Sequence, residues 1–548
     1  MNLEADLLFS GGRVYTADPT RPWVESVAVR GEQILAVGGR HELAELRGPR
    51  TQVFDIGGSL LLPGFTESHI HFIELALRST QIDVTGARSA AEVAASVRAY
   101  RETPGLPGAA NSRAWIRGGG WSVDRWTDAA APHKALLDAV APDVPVALDG
   151  KELHSLWLNS AALRRAGITA ATADVPGGVI DRDSAGEPTG ILRDNAVTLA
   201  QRAYPPPELP ETIAAVRSAV PGLWRTGIVA IHNANDTLDG LALRTYEGLH
   251  GRGELQVRVL QHLPSGNLAH ARAMGLQSGL GDAWLRIGGV KMFADGALGS
   301  RTALMLQPYI GEPGYWGVAT IDPEEMLEQA LLASGSGLSL TIHAIGDRAN
   351  RAVLDVLAEV RRLEAVQRLG RKEPLRHRIE HVQCIDLADL PRLAQLDIIA
   401  SVQPIHATSD MLMLDTHWGG ERARRSYAFR SLLQSGAKLV FGSDGPIEPH
   451  APLIGVHAAV TRRRADGSPG SDGWQGQERI AVADAIDAYT RWPAYAAREE
   501  AYRGSITPGK LADLVVLSRD IFTIDPMEIL ATQVEMTVIG GRVVWRKG

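Results

Sequence analysis

The chain contains one cysteine, Cys384, in 548 residues, and that scarcity excludes an intrachain disulfide framework. A protein of this length can stand on buried apolar surface alone, and a lone thiol fits a reducing compartment, so a cytoplasmic protein is the expectation. No apolar run approaches the roughly 20 residues that span a bilayer, and the first residues lack the basic and apolar segments of a secretory leader, so no membrane association is expected. An excess of positive charge is also missing. With 56 basic against 63 acidic residues the net charge is -7, which gives no electrostatic footprint for nucleic acid. Basic runs such as residues 462–464 read as solvated faces. No sequence repeat is evident, and no Gly-x-Ser-x-Gly nucleophile elbow marks Ser300 or any other serine as a nucleophile.

What is present divides into ends and middle. The chain is longer than one hydrophobic core usually organises, which points to a large domain with a smaller second unit. Residues 6–16, 26–37, 51–62, 512–517 and 533–544 alternate apolar positions with glycine-containing turns and read as short β-strands. Strands so far apart in sequence predict one small β-sandwich built from both termini, residues 1–60 and 500–548. Between them, residues 61–499, apolar runs alternate with helical patterns such as 323–334 and 348–363, the mark of parallel βαβ units. The fold class expected is therefore α/β, a (β/α)8 barrel plus the terminal sandwich. Nine runs compete for eight strand positions: 64–71, 144–149, 228–232, 257–260, 285–291, 338–343, 377–381, 398–403 and 438–444. The surplus is assigned to an insertion around 85–225, placed over the barrel mouth.

Ionisable residues gather at the ends of these runs. His69 and His71 close the first, and with only Ile70 between them their side chains leave an extended strand on the same side. Lys291, His343, His381 and Asp444 close four later runs. In a (β/α)8 barrel all six would surround the catalytic mouth. Taken singly, each has an ordinary reading: a packing pair for His-x-His, a satisfied core histidine, a helix-capping aspartate, a lysine paired with a carboxylate. Six together resist it, because ionisable groups are costly to bury unless paired or bound to metal. Imidazole and carboxylate donors suit zinc and similar divalent ions. Two such ions about 3.5–4 Å apart need a bridging ligand. An ammonium cannot bridge, whereas a lysine carbamylated by carbon dioxide offers two oxygens.

Longer motifs narrow the reading. Leu61-Leu-Pro-Gly-Phe-Thr-Glu-Ser-His-Ile-His71 resembles the first-strand motif of the amidohydrolase superfamily, and Ser505-Ile-Thr-Pro-Gly-Lys-Leu-Ala-Asp-Leu-Val-Val-Leu517 resembles its return into the sandwich. Leu153-His-Ser-Leu-Trp-Leu-Asn-Ser-Ala-Ala-Leu163, Val290-Lys-Met-Phe-Ala-Asp-Gly-Ala-Leu-Gly-Ser-Arg-Thr302 and His343-Ala-Ile-Gly-Asp-Arg-Ala349 are similar to the family 3 branch that contains N-substituted formamide deformylase. The resemblance spans nearly the whole chain. It implies His69 and His71 on the more buried of two metal ions, Lys291 as a carbamylated bridge, and His343 and His381 on the second ion. Asp444 is implied both as ligand and as the base towards a metal-activated water. Glu67 stands where that motif more often carries aspartate.

Around this set, Lys151 is the second candidate for the modified lysine, with Glu152 beside it. His154, Asp295, Arg301 and Trp121 are the candidate substrate-binding residues. Of Trp115, Trp121, Trp126, Trp157, Trp316 and Trp418, half are expected in the core and the rest along an apolar pocket. The activity implied is hydrolysis of a non-peptide C–N bond in a small amide-type molecule: an amide, N-substituted formamide or cyclic amide. The assembly to test is a homodimer. Two readings compete: a deaminase-type enzyme with one ion on the same scaffold, and a catalytically inactive binding protein that keeps the fold. A sugar- or phosphate-binding barrel would call for glycine-rich anion-binding turns, and the turn present is Gly442-Ser-Asp-Gly-Pro446.

Overall fold

A computed structural model describes residues 4–79, 81–103, 115–123, 126, 131–151, 155–175, 178–204, 206–367 and 373–548. Eight parallel strands form the central sheet: Phe65–Ile70, Ile228–Asn233, Arg258–Pro264, Leu285–Phe293, Leu340–Ala344, Arg378–His381, Ile399–Val402 and Lys438–Phe441. They are hydrogen-bonded in chain order, and all six residues of the first strand and all six of the second are buried. Strands covered on both faces carry continuous apolar runs rather than alternation, which is why they read so clearly in the sequence.

The eighth strand returns to the first through backbone bonds just past its end. The Asp444 N–H donates to the His69 carbonyl and the His71 N–H to the Gly445 carbonyl, both at 2.8 Å. Glycine is required at this closure. A Cβ on Gly442 would lie 2.6 Å from the His69 nitrogen and 2.6 Å from a Glu67 carboxylate oxygen. The sheet is thus a closed barrel whose seam is stitched at His69, His71, Asp444 and Gly445.

The helices follow local signals. Asp322 caps Pro323–Ser336 by accepting the Glu324 N–H at 2.9 Å, Pro323 opens the first turn, and Gly337 ends it at φ +92°. The longer helix Asp347–Gln367 covers the second helical pattern read from sequence.

The termini build two further sheets. One runs Gln33–Gly38, Ser26–Arg30, Ala5–Ser10, Arg47–Asp55; the other runs Arg542–Arg546, Val534–Ile539, Leu514–Leu517, Leu60–Pro63, Arg13–Tyr15, Trp23–Val24. Leu7, Phe9, Val27 and Val29 share one core with Leu61, Leu514, Val516 and Val538, so residues from both ends bury each other. The aspartate of the Leu-Ala-Asp motif anchors this layer to the barrel. Buried Asp513 takes a two-pronged ion pair from Arg258 of the third barrel strand, at 2.7 and 2.9 Å, and accepts the Gly540 N–H. Removing one partner of such a buried pair costs about 3–5 kcal/mol.

Residues Ile73–Ser218 form a second compact unit with its own sheet and cores. Its strand Val146–Gly150 pairs with Ile116–Trp121 and Ser155–Leu158. The run at 144–149 is therefore the surplus ninth candidate. It looks like a barrel strand because it too is buried on both faces. Among the described residues, no helix is long and apolar enough to cross a membrane.

Candidate active site and metal centre

Strand ends bring the donors together. Asp444 Oδ1 lies 3.3 Å from His69 Nε2 and 3.1 Å from His71 Nε2. Donor atoms of these three residues lie within 4.8 Å of one another, and a second such group joins His381, His406 and Asp444. The ring centroids of His343 and His381 are 4.6 Å apart, and those of His69 and His71 are 5.6 Å apart. Lys291 is 2% exposed on the fourth strand, its Nζ 4.2 Å from the Phe293 ring centroid. His381 at φ +73° and Asp444 at φ +61° hold left-handed backbone conformations. Side chains with a Cβ adopt these at a cost of about 1–3 kcal/mol each, and such strain concentrates at functional sites.

The imidazoles are oriented with one nitrogen committed to protein. His69 Nδ1 is paired with Glu380 Oε2, leaving its buried Nε2 without a hydrogen bond. His381 Nδ1 donates to Gln403 Oε1 at 2.8 Å, which likewise frees its Nε2. His343 is arranged the other way: Nε2 donates to the Gly296 carbonyl at 3.1 Å, so Nδ1 keeps the lone pair. Fixing one ring nitrogen by a carboxylate or carbonyl and presenting the other is how proteins hold metal-binding histidines.

Electrostatics agree with that use at His343 and His381, whereas at His69 burial is outweighed by the charges of Glu380 and Asp444, which raise it above the usual histidine range. Burial lowers His343 to about 3 and holds His381 well below the usual histidine range, so both are neutral donors. Burial opposes ionisation of Asp444, yet the imidazoles of His69 and His71 overcome it and keep the carboxyl well below the usual carboxylate range. Burial brings Lys291 down to about 8 against the attraction of Glu380 and Asp444, so about a tenth is neutral amine at pH 7, far more than for an ordinary lysine. The donor set, with an orphaned buried Nε2 on His69 beside an ionised carboxylate, fits divalent metal.

Sequence comparison decides the family. The model of the amidohydrolase family matches residues 52–545. The chain belongs to that family. It is 33% identical to Protein LONG AFTER FAR-RED 3 of Arabidopsis thaliana, over 99% of this chain and 92% of that one. It is 28% identical to N-substituted formamide deformylase of Arthrobacter pascens, over 98% and 97%. The crystal structure of an uncharacterized metal-dependent hydrolase from Pyrococcus horikoshii superposes with a TM-score of 0.77 at 26% identity, covering 95% of this chain and 99% of that one.

The other candidates of this amidohydrolase among the described residues each have identifiable contacts of their own. Asp295 gives its carboxylate to the N–H groups of Leu304, Ile345 and Gly346 at 2.8, 3.0 and 2.8 Å, clamping two loops together. It stays 3.5 Å from His343 Nε2, so its contribution is to the wall behind that ring. Arg301 is paired with Glu312 rather than extended towards the donors. Trp121 is in the core of the second unit, its indole N–H on the Leu148 carbonyl at 2.8 Å, packed with Trp126 and Trp157. Lys151 is half-buried in that unit, and its N–H donates to the Trp121 carbonyl. His154 and Glu152 lie outside the described residues.

Glu67 acquires a clear place. Its Oε1 accepts the N–H groups of His69 at 3.1 Å and Ser443 at 2.8 Å, so one carboxylate holds the backbone on both sides of the barrel seam. Burial raises it to about 7.

Sequence reasoning passed over Glu380, Arg378, Gln403 and His406. Arg378 and Glu380 are two apart on one strand and face the interior together. The guanidinium binds the Glu380 carboxylate through two nitrogens and also donates to the Ser68 carbonyl at 2.6 Å and Ser401 Oγ at 3.1 Å. The signal was there: an arginine and a glutamate at i, i+2 in a buried strand must satisfy each other. Glu380→Gln keeps the shape and removes the charge that orients His69. Metal affinity should fall by about 10–100-fold, read by competition with a chromophoric chelator; unchanged affinity would make Glu380 a partner of Arg378 only.

Proposed function

We propose that the chain is a metal-dependent hydrolase that cleaves a non-peptide C–N bond, that of an amide, N-substituted formamide or cyclic amide. The observation that carries this reading is the single carboxylate oxygen of Asp444 set between His69 Nε2 and His71 Nε2, at the strand ends of a closed barrel. His69, His71, Lys291 and Asp444 would hold one ion, and Lys291, His343 and His381 a second. Divalent ions there, zinc by donor type, would polarise a carbonyl and lower the pKa of water towards neutrality.

As a carbamate, Lys291 would offer one oxygen to each ion. Its neutral Nζ attacks the carbon of carbon dioxide, an N–C bond forms, and one proton leaves to solvent. Asp444 is ionised and accepts a proton from the attacking water. The water oxygen bonds to the substrate carbonyl carbon, the C–N bond breaks, and the same proton passes from Asp444 to the leaving nitrogen, which departs as the amine. Glu380 and Gln403 keep His69 and His381 in the tautomer that presents Nε2.

The substrate class draws support from the Arthrobacter pascens relative, named as an N-substituted formamide deformylase and matched over 97% of its length. Incubating zinc-loaded protein with N-substituted formamides, acylated amines, cyclic amides and carbamates tests the reading. Release of free amine, or ring opening, in at least one class is expected. Full zinc loading with turnover of none of them would reject it.

A further inference from the structure

His406 lies on the short helix Pro404–Ser409 just past the seventh barrel strand, is 8% exposed, and has a buried Nε2 with no hydrogen-bond partner. One of its ring nitrogens is within 4.8 Å of donor atoms of both His381 and Asp444. Its placement is tied to theirs, since the His406 N–H donates to the carbonyl of Gln403 at 3.1 Å, and the side chain of Gln403 orients His381. A buried ring that lies beside these donors and keeps an unpaired nitrogen has two partners open to it, a metal ion or the substrate.

Ring geometry separates them. An imidazole bound to zinc at about 2.1 Å puts its centroid about 3.2 Å from the ion, so two on one tetrahedral ion have centroids about 5 Å apart. His343 with His381, at 4.6 Å, His69 with His381, at 5.0 Å, and His69 with His71, at 5.6 Å, all lie near that value, including a pair assigned to different ions. His381 and His406 are 6.3 Å apart with nearly parallel rings, 8° between planes. That spacing would require the two nitrogens to face each other in a straight line across the ion, which a tetrahedral site does not allow.

We infer that His406 is a catalytic residue that touches substrate rather than metal. Its Nε2–H donates to the oxygen of the scissile carbonyl, on which negative charge grows as water adds. This inference rests on the hydrolytic reading above and adds the group that stabilises its transition state. Removing one donor of this kind lowers kcat by about 10²–10³-fold.

The test compares wild type, His406→Ala and His406→Gln, all zinc-loaded, in three measurements: metal per chain, steady-state kinetics, and calorimetric titration with acetohydroxamate. The alanine variant should keep the wild-type metal content, lose kcat by that factor with little change in KM, and bind acetohydroxamate about tenfold more weakly or worse. His406→Gln retains an N–H donor and should recover part of both losses. Loss of an ion from His406→Ala would make the residue a ligand and overturn the inference. So would wild-type kcat, or wild-type acetohydroxamate affinity with both ions bound. If the wild type itself cleaves no C–N substrate, the hydrolytic reading fails, and the titration still decides whether His406 meets a bound carbonyl oxygen.

Discussion

Lys291→Ala should yield a folded protein that neither retains the second ion nor turns over substrate, and short-chain carboxylates such as propionate should restore part of both. The expectation follows from burial. Lys291 is 2% exposed with its Nζ among imidazoles and carboxylates, and a pKa of about 8 supplies the neutral amine that carbon dioxide needs. A carboxylate diffusing into the space left by the side chain can offer the two oxygens of the missing carbamate. Lys291→Met keeps the volume of the stem and should show the same losses if the fold tolerates the alanine poorly. Lys151→Ala should keep both ions and full turnover. Metal analysis and kinetics on the three variants check this, and exchanged phenotypes between the two lysines would mean that the bridge is Lys151.

Asp444→Asn should lower kcat by about 10²–10⁴-fold, the usual contribution of a general acid–base group. Asparagine is nearly isosteric and keeps one oxygen, but it cannot take a proton from water. The competing role, capping the following turn, has no support in the contacts of its carboxylate, which are His69 and His71. That turn is held instead by the Asp444 carbonyl, which accepts the Ile447 N–H at 2.9 Å, and by Ser443 Oγ, which accepts the Gly445 N–H at 3.1 Å. The variant should therefore fold, with a thermal midpoint close to wild type. Wild-type kcat with normal metal content would remove the base assignment.

Much of the architecture could be read from the sequence for a physical reason. Barrel strands are buried on both faces, so their apolar runs are uninterrupted, and the ends at which they change to His, Lys or Asp are abrupt. The same property produced the surplus candidate at 144–149, because a central strand of another buried sheet has the same composition. The ionisable residues at strand ends were legible because six of them recur at the ends of buried runs, where packing or capping accounts for one but not for all.

The layer behind them was less so. Glu380 precedes His381 and was overshadowed by it, although it is the pairing of Glu380 with Arg378 that turns His69. His406 follows its strand by a helical turn and so escapes a rule based on strand ends. Asp295, Arg301 and Trp121 are substrate-binding candidates by chemical type. In the fold, the first clamps two loops through backbone N–H groups, the second is paired with Glu312, and the third fills a core. Type alone cannot distinguish a group facing substrate from one facing its own backbone.

A two-ion centre is tested by elemental analysis of the wild-type protein, purified without chelator and given zinc and bicarbonate. Close to two divalent ions per chain, with activity rising in step with the second, is the predicted result. No bound metal after reconstitution, or full activity with a single ion, would contradict it.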